Sequence, residues 1–267
     1  MSSGETNLIP PNQETENMEV HHHPDIHHKP KKWKEYVIEF AMIFLAVTLG
    51  FLAENLREHI AERSKERKYI AAFISNVKDD TAYLNYVIQF DNHLVKGVDS
   101  ILMLSHADMS RESNRRSFYH FALQYFYNSA AFKSNDVTLQ QLKNTGDFKL
   151  IEKGHVADSL TKYASDVQNI YSQGDYYNAY FKDILARLDE IYDITLFGDS
   201  TYQKDGQMMN KPFPPFRDNN VKLPVLFNKI FSFRIITYSY AENYLKPQLK
   251  SAKSLLSFLK KEYGMTD

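Results

Sequence analysis

The chain contains no cysteine. That excludes a disulfide framework and thiolate metal sites, and it suits either side of a membrane. Glycine and proline are scarce, nine of each in 267 residues. With Leu, Ile, Lys and Glu frequent, that scarcity points to long helices broken at few places. An excess of one charge is also missing. A formal net charge of −1 argues against a nucleic-acid-binding module, which would carry a basic surface. No convincing strand pattern occurs. A nucleophile elbow, a phosphate loop and an HExxH helix are absent too, so no enzyme activity is expected, and no catalytic, cofactor or metal residue is assigned. Aromatic residues, by contrast, are plentiful. Eighteen Tyr and eighteen Phe predict an aromatic-rich core.

Residues 1–32 hold almost no apolar clusters and read as a disordered, His-rich tail. Met18 is a candidate alternative start, which would make 1–17 an extension. Next comes the one long apolar run. Its uncharged centre, Phe40–Ala53, has fourteen residues, a length that also suits a buried core helix. Extended to Tyr36–Leu56 it reaches twenty-one and takes in Glu39, Glu54 and Asn55 near its ends, where polar groups reach headgroups. The run is apolar on every face, unlike the striped helices that follow. Lys29, Lys31, Lys32, Trp33 and Lys34 flank it as an interfacial anchor would. The expectation is a transmembrane helix at 33–57, contacting the bilayer through residues 36–56 and acting as an uncleaved signal anchor. The clustered lysines favour a cytoplasmic N-terminus and a periplasmic main domain at a bacterial inner membrane, although Arg57, Arg63, Lys65, Arg67 and Lys68 compete from the far side. Ala46, Gly50 and Ala53 share one face, the expected contact of a homodimer within the span.

Residues 58–267 should form an all-α domain. Three segments keep a 3-4 apolar spacing. The first runs Ile70, Ile74, Val77, Thr81, Leu84, Ile88, Asp91, Val95, Val98, Leu102. The second is Val156, Leu160, Tyr163, Val167, Ile170, Gly174, Tyr177, Phe181, Ile184, Leu188, Ile191, and its frame passes through Gly174 unbroken. The third is Phe231, Ile235, Tyr238, Glu242, Leu245, Leu249, Ala252, Leu256, Leu259, Tyr263, with Pro247 expected to kink it. About forty residues each, or roughly 60 Å, they predict an antiparallel bundle of three long helices. An insert at 107–154 should hold an aromatic helix near 118–132 and a short one near 137–144. Gly146 suits the left-handed position that ends the short helix, and Asp147 could cap a further turn over 148–152. A long loop at 196–223 should return to the level of Arg67, at the start of the first segment, with Phe197, Phe213, Phe216, Lys204, Lys211 and Arg217 at that end.

The stretch TLQQLKNTGDFKLI, residues 138–151, resembles a motif of an uncharacterised family of bacterial single-pass membrane proteins of Bacteroidota. The matching positions are Leu142, Lys143, Asn144, Thr145, Gly146, Asp147, Phe148, Leu150 and Ile151. The family's layout of span, charged helix and helical domain is similar over residues 33–263. After the span, where many relatives carry Asn-Asn-Trp-Asn-Glu, this chain has Glu54-Asn55-Leu56-Arg57-Glu58. The resemblance implies a membrane location and a helical domain, and no activity.

Four groups of residues invite chemistry, and each has a plainer reading. His21, His22, His23, His27 and His28 could bind a divalent metal, but a flexible tail without a second shell would hold it weakly, and a solvated tail or a titratable patch near headgroups is the preferred reading. Glu152 and His155 form a Glu-x-x-His element like those of di-iron bundles, which need a second copy that is missing here. Tyr171, Tyr176, Tyr177, Tyr180 and Phe181 either pack in the bundle or line a ligand pocket. Pro212 and Pro215 make a PxxP spacing too common to weigh. The expected role is a membrane-anchored, non-enzymatic interaction or scaffold protein with protein partners. The alternative is a periplasmic sensory or ligand-binding bundle.

Overall fold

A computed structural model describes residues 32–198, 203–204, 207–208 and 211–266. The chain divides into two compact units, Met1–Glu58 and His59–Asp267. The His-rich tail lies outside the described residues. The described part of the first unit is the opening of helix α1 (Trp33–Met103), whose apolar side chains are uncovered all round. Phe40, Ile43, Phe44, Leu49 and Phe51 are each more than half exposed.

The second unit holds the rest of α1, then α2 (Glu112–Phe126), α3 (Val137–Asn144), α4 (Gly154–Ile191), α5 (Lys222–Tyr240) and α6 (Lys246–Tyr263). A π-helical turn, Ala241–Leu245, joins the last two. The described residues are helical apart from turns, extended connectors and a two-residue hairpin, Gln203–Lys204 against Gln207–Met208, which the sequence did not suggest.

The order of the legs differs from the expected one. Tyr163 of α4 meets Phe73 and Asp80 of α1, and Tyr177 lies near Asp91. So α4 runs in the same direction as α1. The insert makes the descent between them. Tyr125 touches α1 at Gly97, Phe132 at Tyr83, Asn135 at Asp80 and Asn76, and Asp147 at Lys65 and Tyr69. The segment α5–α6 then descends again, with Arg234 paired to Asp99 and Tyr263 bonded to Glu66. The loop after α4 accordingly sits at the Met103 end, not level with Arg67. Arg115 donates to the Phe213 carbonyl, and Phe216 packs edge-on against Phe118.

Helix α4 buries the stripe that its spacing predicts, from Val156 to Ile191, and it continues through Gly174. A Cβ there would stand 3.3 Å from the Tyr240 hydroxyl, so the glycine lets α4 and α5 approach closely. Helix α1 buries most of the predicted stripe, with Thr81, Val95 and Leu102 only half-buried, and a second one beside it, Phe73, Asn76, Asp80, Val87, Leu94 and Ile101. It needs both because the insert, α4 and α5–α6 all pack against it.

In the third segment the predicted frame holds for Leu245, Ala252, Leu259 and Tyr263, but fails earlier. Phe231, Ile235 and Tyr238 are about half exposed, whereas Ile230, Phe233, Thr237 and Tyr240 are buried. The π turn accounts for the slip, because one extra residue in a turn rotates everything before it by about 100°. Pro247, which cannot donate a hydrogen bond to the preceding turn, follows it after one residue, in the first turn of α6.

Gly146 adopts φ 71° and closes α3 as expected. Asp147 does not cap the turn after it. Its carboxylate takes donors from Tyr69 (2.6 Å), Lys65 (2.9 Å) and Thr145 (2.8 Å), and these hold its pKa down at about 2.

Candidate functional site

The connector between α2 and α3 is extended, so its backbone donors have no helical partners and must find others. Two polar residues one turn apart on the buried side of α1 supply them. Asp80, 2% exposed, accepts from the Asn135 amide (2.6 Å), the Tyr163 phenol (2.8 Å) and the Ser134 hydroxyl. Asn76 donates to the Asn135 backbone carbonyl (3.0 Å) and side-chain oxygen (2.7 Å), and it accepts from Thr138 (3.0 Å). The Tyr171 phenol accepts from the Ser134 amide at 2.9 Å. The result is a clasp in which one carboxylate ties α1, the connector and α4 together. Burial, then the adjacent Asp80 charge, raise the Tyr163 pKa, so the phenol stays protonated and donating.

Beside the clasp lies a recess of about 230 Å³. Phe73 and Val77 of α1, Leu139 of α3 and Val167 of α4 form its apolar walls. Ser134, Asn135 and Tyr163 border it too, but their polar groups are engaged in the clasp. Gln140, Lys143, Thr161, Ser165 and Gln168 carry the remaining polarity, with Asp136, whose carboxylate accepts from the Gln140 amide at 3.0 Å. Leu139, Gln140 and Lys143 belong to the 138–151 motif. A larger hollow, about 760 Å³, runs along α4 and the π turn between Lys162, Gln173, Asn243 and Gln248. Its size reflects a wide polar trough rather than an enclosed site.

A second buried carboxyl, Asp91, is 1% exposed, and no donor among the described residues reaches either oxygen. Burial raises its pKa to about 8, so it is mostly neutral at pH 7. The Tyr177 and Tyr240 phenols nearby are raised by burial first and by the Asp91 charge second.

The residues singled out by sequence scatter. Glu152 lies 3.8 Å from His59, whereas His155 lies 3.2 Å from Glu262, which Lys153 also reaches at 3.1 Å. Among the described residues no three His, Asp or Glu side chains are grouped to hold a metal ion. The tyrosine cluster splits into separate roles. Tyr171 joins the clasp. Tyr177 is buried against Phe233 and Tyr240, with ring centres 5.2 and 5.6 Å away. Tyr176, which is exposed, pairs edge-on with the half-buried Tyr180, 5.1 Å between ring centres. Between Pro212 and Pro215, Phe213 is buried, while the two prolines themselves are exposed. In the first unit Ala46, Gly50 and Ala53 are exposed.

Sequence reasoning missed Asp80 and Asn76. Their signal was two polar residues at i and i+4 alongside an apolar stripe, which reads as a solvated flank until the connector is known to lie there. No family model matches the chain, and no curated protein or solved structure matches it either.

Proposed function

We propose that this chain is a single-pass membrane protein whose helical domain serves as a non-enzymatic interaction module. One observation carries the reading. Helix α1 contains an 18-residue window of mean hydropathy 2.1, none of it buried. Each large apolar side chain left in water forgoes about 1.5–3 kcal/mol, and a run of this length matches the hydrocarbon core of a bilayer. Trp33, 80% exposed beside Lys32 and Lys34, fits an interfacial belt.

The clustered lysines before the span support a cytoplasmic N-terminus, with the domain on the periplasmic side of a bacterial inner membrane. The likeness of 138–151 to the Bacteroidota family supports the same setting. The recess beside the clasp favours a second reading, in which the domain binds a small ligand.

Carbonate extraction of membranes tests the anchor, and the protein should stay in the pellet. Reporters fused after Asp267 test the orientation. A periplasm-active reporter should function and a cytoplasm-active one should be silent. Release by carbonate removes the anchor, and the opposite reporter pattern reverses the topology.

A further inference from the structure

We propose that the outer face of α5 is the contact surface of a homodimer, in which two copies of this chain pair their α5 helices in parallel about a two-fold axis. The inner face of α5, with Leu226, Ile230, Phe233 and Thr237, is buried. Its outer face is apolar as well. Phe231 and Tyr238 are each 53% exposed, and Ile235 is 49% exposed. Neighbouring helices differ. Among the described residues α6 exposes no large apolar side chain, and α4 exposes only Tyr176. A helix that is apolar on opposite faces needs cover on both. Met103 of α1, 77% exposed, borders the same hollow as Phe231. With an aromatic side chain offering about 150–250 Å² when fully covered, these four residues leave roughly 400 Å² of apolar surface in water. A patch of that size marks a contact site. With the polar residues beside it, the face reaches on the order of the 800 Å² that each partner gives to a standard interface.

The order of residues along the face selects the occupant. Val221, Asn228, Ile235 and Glu242 recur every seven residues, and Pro224, Phe231 and Tyr238 fall between them. That is a heptad seam, the pattern that seats a second helix. One of its two sets carries β-branched Val221 and Ile235 with a single Asn between them, which favours two parallel strands and fixes their register. In a parallel pair Asn228 meets Asn228 of the other copy. Its side-chain amide has no hydrogen-bond partner among the described residues. An amide both donates and accepts, so two of them across the axis satisfy each other. Ser232 and Ser239 flank the seam with small, exposed side chains. Glu242 closes it, and its ion pair with Lys246 offsets the repulsion between two copies. A membrane surface is a poorer match, because an interfacial helix draws on Lys and Arg around its apolar face. Here Arg234 and Lys229 beside the seam are tied to Asp99 and Asp183. A dimer through α5 gives the interaction reading its partner, and it rests on that reading but not on the membrane anchor.

The chain lacks cysteine, so single cysteines report on the seam directly. The full chain in phospholipid vesicles is oxidised with copper phenanthroline. Asn228→Cys and Ile235→Cys should each form same-residue crosslinks about tenfold faster, by proximity, than Ser254→Cys, an exposed control on α6. Phe231→Glu, with helical content unchanged by circular dichroism, should slow both crosslinks by about tenfold or more, as a charge at the centre of an interface does. Ile235→Glu should do the same to the Asn228→Cys crosslink. Crosslinking no faster at these positions than at Ser254 overturns the proposal. So does crosslinking of Asn228→Cys to Tyr238→Cys in place of same-residue bonds, which marks an antiparallel pair. Quenching of a fluorophore on Phe231→Cys by brominated lipid overturns it by placing the face against the membrane. A dimer that persists in Phe231→Glu and crosslinks only at Gly50→Cys overturns it by placing the contact within the span. Carbonate release with the Ile235→Cys crosslink intact would remove the anchor and leave the dimer, whereas a carbonate-resistant monomer would remove the dimer and leave the anchor.

Discussion

Gly97 of α1 and Tyr125 of α2 touch so closely that a methyl group at Gly97 would lie 2.2 Å from the tyrosine ring. The ring is itself held, with His93 at 5.5 Å and Phe121 at 6.4 Å between ring centres. The glycine is therefore needed for the space it leaves, not for its backbone freedom. Gly97→Ala should destabilise the protein by about 1–3 kcal/mol, the cost of overpacking. Trimming the ring in the double variant Gly97→Ala with Tyr125→Leu should recover part of that loss. Thermal melts of both singles and the double measure the coupling, and additive losses would show that the contact does not limit the site.

The clasp predicts an asymmetric pair of variants. Tyr163→Phe removes one of the three donors to Asp80 and should cost about 1–2 kcal/mol. Asp80→Ala removes the shared acceptor and leaves a phenol, a hydroxyl and a backbone amide buried without it, so the loss should be about 3 kcal/mol or more. Equal losses, read from denaturant curves, would mean that the carboxylate is not the hub.

Asp91 predicts a pH dependence of definite sign. Its folded pKa, about 8, lies above the ordinary value near 3.9. Below about pH 4 the group is protonated in both states and imposes no cost. From there to about pH 8 unfolding releases a proton, so stability falls by about 1.4 kcal/mol per pH unit for this group alone. Above pH 8 the slope vanishes and the full cost, on the order of several kcal/mol, remains. Asp91→Asn should flatten that stretch and stabilise the protein at pH 8. If the parent and variant curves stay parallel from pH 5 to 8, the burial of this carboxyl has no thermodynamic consequence.

These sites differ in how far the sequence revealed them. Helix α4 was legible because it buries a single stripe, and one period of 3.6 residues describes it from Val156 to Ile191. Gly146 was legible because little but glycine accepts φ 71°. The direction of α4 was not. A descending insert of extended chain and short helices reverses the path without leaving a periodic signal, and the lengths alone fit either order. Nor was the clasp, whose bonds join residues 54 and 83 positions apart. Asp91, by contrast, stood on the predicted apolar frame of α1. A carboxyl on such a frame is either buried or a break in it, and only packing decides which.

The slipped frame in the last segment leads to the final prediction. With an uninterrupted α-helix, the stripe containing Leu245 and Ala252 would continue backwards through Tyr238, Ile235 and Phe231. The π turn at Ala241–Leu245 inserts one residue, and Tyr240, Thr237, Phe233 and Ile230 take those places in the core. Deleting Asn243 should remove the extra residue and rotate α5 by about 100° relative to α6. The rotated face is also apolar, so the chain should still fold and keep its helical content by circular dichroism. It would lose the Arg234–Asp99 ion pair and the packing of Phe233 against Phe126 and Tyr177. A destabilisation of about 2–4 kcal/mol is expected, in the range for a core forced to repack. Pro247→Ala restores a backbone donor but keeps the residue count, so the frame should persist and stability should change by less than about 1 kcal/mol. A deletion as stable as the parent would show that the residue count in the turn does not set which face of α5 is buried.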